Sequence, residues 1–293
     1  MTGADRLDYL LHHAMAAMPI GACSALGSAL SGVMGQRAHK AADARARALL
    51  ARLRPEWRAD EAALTSAVGR LWQCVARTHA EFGATRALLA SGRVRVEGLA
   101  HLTDALADGR PVISLFLHLG NWEIAAACTS VLAPGRAMLI YDPPARAARR
   151  AIAERVRAKL PWQPMPMSPQ VWRHAVARLS ERGGVLVTAA DEVAHERVGA
   201  PLFWREPFAD GNLGKVARLA MRYHALVVPL WTERVGGARF QTHVLPAVTL
   251  AGDPRDPAAV LDAVRRLDAI VTPPVLMHPD QWYMALEFRP TDG

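Results

Sequence analysis

From Pro111 onward, short apolar runs alternate with stretches of helical pattern, and that alternation limits what this chain can fold into. Residues 111–117, 137–141, 185–190 and 225–231 are each of strand length and carry no charged side chain. Runs that are apolar throughout read as strands covered on both faces. Helical patterns lie between them at 122–132, 146–160, 169–182 and 211–223, with a last long helix at 256–271. Parallel strands need a connection of about a dozen residues, usually a helix, to bring the chain back to the same edge. A further strand at 239–245 follows the Gly236-Gly237 turn. The expected architecture is α/β, a mixed, mostly parallel sheet flanked by helices.

The N-terminal third reads differently. Tyr9 to Gln36 contains no Asp, Glu, Lys or Arg. That length could cross a bilayer, but Pro19, Gly21, Gly27, Gly32, several serines and the pair His12-His13 interrupt it. Three forms fit: a weak transmembrane helix, an interfacial helical hairpin broken near Pro19, or a soluble Ala/Gly-rich helix pair. Asp5, Arg6 and Asp8 precede the stretch, unlike the basic start of a cleaved signal. Arg37, Lys40, Arg45, Arg47, Arg52 and Arg54 follow it, and positive charge there would keep the rest of the chain cytoplasmic. Residues 41–53 are rich in helix formers, Pro55-Glu56-Trp57 marks a break, and Asp60-Glu61 opens a second helix to about Phe82. A strand at 94–98 and a helix at 99–108, ended by Gly109, lead into the alternating region. The chain thus divides into an apolar membrane-associating segment (1–36), a helical lead-in (37–92) and an α/β domain (93–293).

The formal net charge of +8 suits an acidic partner: nucleic acid, anionic lipid or an acidic carrier protein. Arg146, Arg149, Arg150, Arg155 and Arg157 form a basic run that suits phosphates, lipid headgroups or an acidic protein, or simply a solvated helix face. It lacks interleaved aromatics, and no helix-turn-helix, zinc-finger or RNP signature occurs, so nucleic acid is not expected. Cys23, Cys74 and Cys128 form no metal or redox motif, and their odd number argues against a disulfide framework. No metal or cofactor is expected, since the dinucleotide, Walker and zinc-protease motifs are all absent.

Chemistry concentrates at His-Leu-Gly-Asn-Trp-Glu, residues 118–123, where a strand ends and a helix begins. In open α/β sheets ligands bind at that edge. A neutral imidazole can take a proton from a hydroxyl near pH 7, and a carboxylate on its far ring nitrogen fixes its tautomer. On a continuous helix His118 and Glu123 would sit roughly 140° apart, so a working pair needs a bend. Gly120 permits one, Asn121 is a suitable N-cap, and Glu123 would fall in the first helical turn. An ordinary first-turn acid beside a sheet-edge histidine has the same spacing. Asp191-Glu192 directly follows the strand at 185–190 and could face the same crevice. The loop 198–205, apolar and ending in Trp204-Arg205, could line a pocket for a chain-like apolar group or pack on the core, and Arg205 is a further candidate for substrate contact. No nucleophile elbow occurs, which favours direct transfer to an acceptor hydroxyl.

His-x4-acid after a hydrophobic strand resembles the glycerolipid acyltransferase superfamily, and the full hexapeptide resembles its bacterial lipid A biosynthesis acyltransferase branch. Arg54-Pro-Glu-Trp57, Ala190-Asp-Glu192, Pro201-Leu-Phe203, Ala217-Arg-Leu-Ala220 with Ala225-Leu-Val-Val-Pro229, and Pro279-Asp-Gln-Trp282 extend the likeness over most of the chain. Trp204-Arg205 replaces a common glycine, Asp210-Gly-Asn212 stands where Ser/Thr-Gly is usual, and a C-terminal histidine is missing. The resemblance implies a membrane-associated O-acyltransferase on the cytoplasmic face of the inner membrane. It would move a fatty acyl group from an acyl carrier protein to a glycolipid or phospholipid hydroxyl. It implies His118 as base, Glu123 as its orienting acid, Asn121 as a positioning or oxyanion group, and Arg155 or Arg157 on the acceptor phosphate. A divergent acceptor, or a non-catalytic lipid- or carrier-binding relative, are the alternatives.

Overall fold

A computed structural model describes residues 2–194 and 197–289. Met1 of the 1–36 segment and residues 195–196 and 290–293 of the 93–293 segment lie outside the described residues. Residues 3–90 are largely helical. α1 (Gly3–Ala17) and α2 (Ile20–Ser31) form a broken pair, with a π-helical turn at Gly32–Arg37. α3 (Lys40–Leu53), α4 (Pro55–Ala59), α5 (Glu61–Glu81) and α6 (Thr85–Ala90) follow. Asp60 starts α5 by accepting from the amides of Ala62 and Ala63, and proline sits at the first position of α4.

The chain then runs β1 (Val94–Glu97), α7 (Leu99–Ala107), β2 (Val112–Gly120), α8 (Trp122–Leu132) and β3 (Ala137–Tyr141). It continues through α9 (Ala147–Arg157), β4 (Gln163–Pro166), α10 (Val171–Ser180) and β5 (Val185–Ala189). A small ribbon of β6 (Val193–Ala194) and β7 (Arg197–Val198) precedes α11 (Asn212–Tyr223), β8 (Leu226–Gly236), β9 (Arg239–Val244) and α12 (Pro257–Met277). Seven strands form the main sheet in the order β1-β9-β8-β2-β5-β3-β4. β2, β3, β4, β5 and β8 run parallel, β9 returns antiparallel to β8, and β1 pairs parallel with β9.

β2 is central and buried on both faces, and its pleat sorts the two cores. Ile113, Leu115, Leu117 and Leu119 pack in one layer with α3, α5, α10, α11 and α12. Val112 and Phe116 pack in the other with α7 and α8. Ser114 lies on that second face, its hydroxyl 2.7 Å from Thr129 of α8. By the same alternation, His118 emerges on the α8 side.

One of the three forms open to the N-terminal stretch, the transmembrane helix, is removed, and two element bounds need correction. Among the described residues no helix is long and apolar enough to cross a membrane. The charge-free stretch breaks at Met18-Pro19, because proline lacks the amide that would continue α1. α12 passes Pro273 and Pro274 to Met277, because Val271, Pro274 and Val275 are buried and packing outweighs the lost amides. β8 extends past Trp231 to Gly236, since pairing with β9 carries Glu233 and Arg234 along the hairpin.

Candidate active site

The turn after β2 is set by glycine. Gly120 has φ +60°, and a Cβ there would run into the carbonyl oxygen of Thr232. Thr232 is the β8 residue paired with Gly120 across a register shift that begins after Phe116. The bend therefore falls where β2 leaves the sheet. α8 starts at Trp122 with Glu123 in its first turn.

Parallel register brings the first carboxylate to the histidine. Phe116 pairs with Ala189, so two residues further along His118 lies beside Asp191. The His118 amide donates to Asp191 Oδ2 at 3.0 Å, and Nδ1 lies 2.8 Å from Oδ1. The indole of Trp282 donates to Oδ2 at 2.7 Å, so the fully buried Asp191 carboxylate is held from two sides. With Nδ1 facing Asp191, the neutral ring carries its proton there and offers the Nε2 lone pair to the site. Nε2 lies 3.8 Å from Glu192 Oε1.

The charges around this ring are unbalanced towards the negative. Burial pulls the His118 pKa down, but attraction to Asp191, the hydrogen bond to it, and the charges of Glu192 and Glu123 outweigh burial and raise it from 6.5 to about 9. Burial raises the pKa of Glu192, partly offset by His118.

The other sequence candidates separate. Glu123 does not hydrogen-bond the His118 ring. Its Oε1 instead accepts from Arg157 Nη2 at 2.7 Å, because the start of α8 turns it towards α9. Its charge still reaches the imidazole through space. Arg157, stacked 4.2 Å over Tyr141, is the arginine that enters the site. Arg155 is exposed and lies 5.7 Å over Tyr9 of α1. Asn121 occupies the N-cap position without capping: its Nδ2 donates to the buried Glu81 at 2.9 Å. Arg205 is buried, bonds the carbonyls of Leu202 and Pro201, and stacks on Phe288. Its loop packs on the core, with Leu202 buried and Phe203 and Trp204 against the same layer. Of the basic run, Arg146 and Arg149 are occupied by Asp8 of α1.

Aromatic rings wall the histidine. His118 lies 5.5 Å from Phe116, 5.6 Å from Trp122 and 6.1 Å from Tyr283, between ring centres. His79 of α5 flanks the other side of Trp122 and Tyr283, at 5.9 and 6.5 Å. It is exposed, and desolvation by the side chains around it pushes its pKa down. Sequence reasoning found neither His79 nor Tyr283 nor the bond from Trp282 to Asp191: a lone helical histidine and residues far along the chain carry no local signal. Among the described residues, no three His, Cys, Asp or Glu side chains gather as a metal ion would need.

No curated protein matches the chain. Residues 6–287 match the family described as bacterial lipid A biosynthesis acyltransferase.

Proposed function

From the premise that this chain belongs to the bacterial lipid A biosynthesis acyltransferase family, we propose that it is an O-acyltransferase in which His118, oriented by Asp191, is the general base. The observation that carries this reading is the bond from His118 Nδ1 to a buried carboxylate at the C-terminal edge of a parallel sheet. His118 Nε2 takes the proton of the acceptor hydroxyl, and the freed oxygen attacks the thioester carbonyl carbon of an acyl carrier protein. The tetrahedral intermediate collapses as the C–S bond breaks, and the imidazolium returns its proton to the departing thiolate. An ester and a free carrier thiol result. Glu123, held by Arg157, adds negative charge that stabilises the imidazolium. The acceptor is a lipid A precursor or a similar glycolipid.

The same reading places the protein on the cytoplasmic face of the inner membrane. Leu7, Leu10 and Leu11 are exposed at helical spacing on α1, and Leu26 of α2 and Val33 and Met34 of the π-helical turn are exposed too. Apolar side chains at such spacing, beside cations like Arg37 and Lys40, suit insertion into an anionic lipid surface.

Mass spectrometry of lipids from cells lacking the protein tests this function. One acyl group should be missing, restored by the wild-type gene and not by His118→Ala. If His118→Ala restores it fully, the chain is a non-catalytic lipid- or carrier-binding relative.

A further inference from the structure

The turn that follows His118 is tied to a buried ion pair between α5 and β8, both distant from it in sequence. Glu81 closes α5 with a side chain fully removed from solvent, and Arg234 of β8 meets it there. The contact is bidentate, with Nη1 to Oε1 at 2.7 Å and Nη2 to Oε2 at 2.8 Å. Glu81 Oε2 also accepts from Asn121. Arg234 Nη2 reaches the Thr78 hydroxyl at 3.2 Å, and that hydroxyl donates to the Gly120 carbonyl at 2.9 Å. The Cys74 thiol approaches the same carbonyl at 3.4 Å. The backbone of Arg234 exchanges two hydrogen bonds with the Gln281 side chain, next to Trp282, which holds Asp191.

Both supports of His118 therefore meet this pair: the Gly120-Asn121 turn beyond it and the Trp282–Asp191 contact behind it. A buried ion pair adds little net stability over apolar side chains of the same shape, but it fixes geometry when its spare lone pairs and N–H groups bind backbone. Here they reach the turn at Gly120, whose backbone sits in the left-handed region, through the Asn121 amide and the Thr78 hydroxyl. Asn121 is almost wholly buried and spends its amide on Glu81 rather than on its own helix.

We propose that Glu81 and Arg234 are positioning residues that clamp the Gly120-Asn121 turn and so aim His118 Nε2 at the acceptor hydroxyl. The inference rests on the acyl-transfer reading, so its test includes a measurement that needs no transfer. Asn121→Ala leaves the Glu81–Arg234 pair and its route through Thr78 whole and cuts its direct side-chain link to the turn. Hydrogen exchange of the 116–123 peptide in the unliganded protein should be faster in Asn121→Ala than in wild type, with the melting temperature nearly unchanged. In acyl transfer, kcat should fall ~10–100-fold with KM within about threefold, as for a sub-ångström misplacement of the base. Glu81→Gln should give a similar kcat loss and a lower melting temperature. The double variant should lose no more kcat than the worse single one, since both cut one connection. Unchanged exchange in Asn121→Ala, or losses that multiply in the double variant, would overturn the clamp. A wild-type protein without transfer activity would overturn the acyl-transfer reading and leave the exchange test standing.

Discussion

The start of the chain at α1 and the edge of β2 are both poor in charge in the sequence, yet they fold into opposite environments. α1 has no buried residue and exposes Leu7, Leu10 and Leu11. β2 buries nearly every side chain, holds His118 against Asp191 and ends at a Gly120 carbonyl bonded by Thr78. Low charge alone does not decide burial. β2 has neighbours on both edges and both faces, whereas α1 touches the body chiefly through Asp8 on Arg146 and Arg149 and through contacts with α9. Where α2 packs closely on α5, small residues permit it: a Cβ on Gly27 would press on Ala76 and Ala80.

The largest effect should come at the dense end of this comparison. Asp191→Asn should lower kcat by roughly 10²–10⁴, because the base loses its charged orienting partner. Steady-state kinetics on the fully folded variant checks it, and a loss below tenfold would leave Asp191 a structural group. Next, Leu71→Ala, at a fully buried site of α5, should destabilise by about 2–5 kcal/mol in urea unfolding.

The pH profile sharpens the electrostatic side. With His118 titrating at about 9, kcat/KM should rise about tenfold per pH unit below that value and level off above it. Glu192→Gln removes one of the charges that raise His118, so the rise should move to lower pH. A profile that does not move would exclude Glu192 from the ring's surroundings. Stability should run the other way. A group raised from 6.5 to about 9 on folding contributes fully below pH 6.5 and loses that contribution as pH rises through 9. His118→Gln should flatten the decline in unfolding free energy between those limits.

The smallest effect on the fold should come from the loose end. Leu10→Glu, on the exposed face of α1, should change stability by no more than about 0.5 kcal/mol. It should still weaken co-sedimentation with anionic vesicles severalfold. Unaltered sedimentation would remove this face from membrane contact.

Much of the fold was legible in short-range pattern. The charge-free runs at 111–117, 137–141, 185–190 and 225–231 lie in β2, β3, β5 and β8, and Asp60-Glu61 and Pro55 mark helix starts. β4 was not legible, because Gln163-Pro-Met-Pro166 has neither alternation nor an apolar run and is held by pairing with β3. At the site, the bend at Gly120 followed from residue type, since only glycine tolerates that backbone beside Thr232. The partner of His118 did not follow. Spacing pointed to Glu123 because it is near in sequence, while strand register brought in Asp191 from across the sheet.

By itself, the sequence determined the alternation of strands and helices, the turn at Gly120 and the family. These depend on local backbone preference and on the period of apolar side chains, which a linear chain displays. Tertiary structure alone decided which carboxylate meets Nδ1, that Glu123 pairs with Arg157, and that Glu81 and Arg234 meet beneath Asn121. Those contacts join residues 34 to 153 positions apart. Only the packed sheet and its covering helices fix such distances, because a buried charge is stable only where the fold delivers its counter-charge.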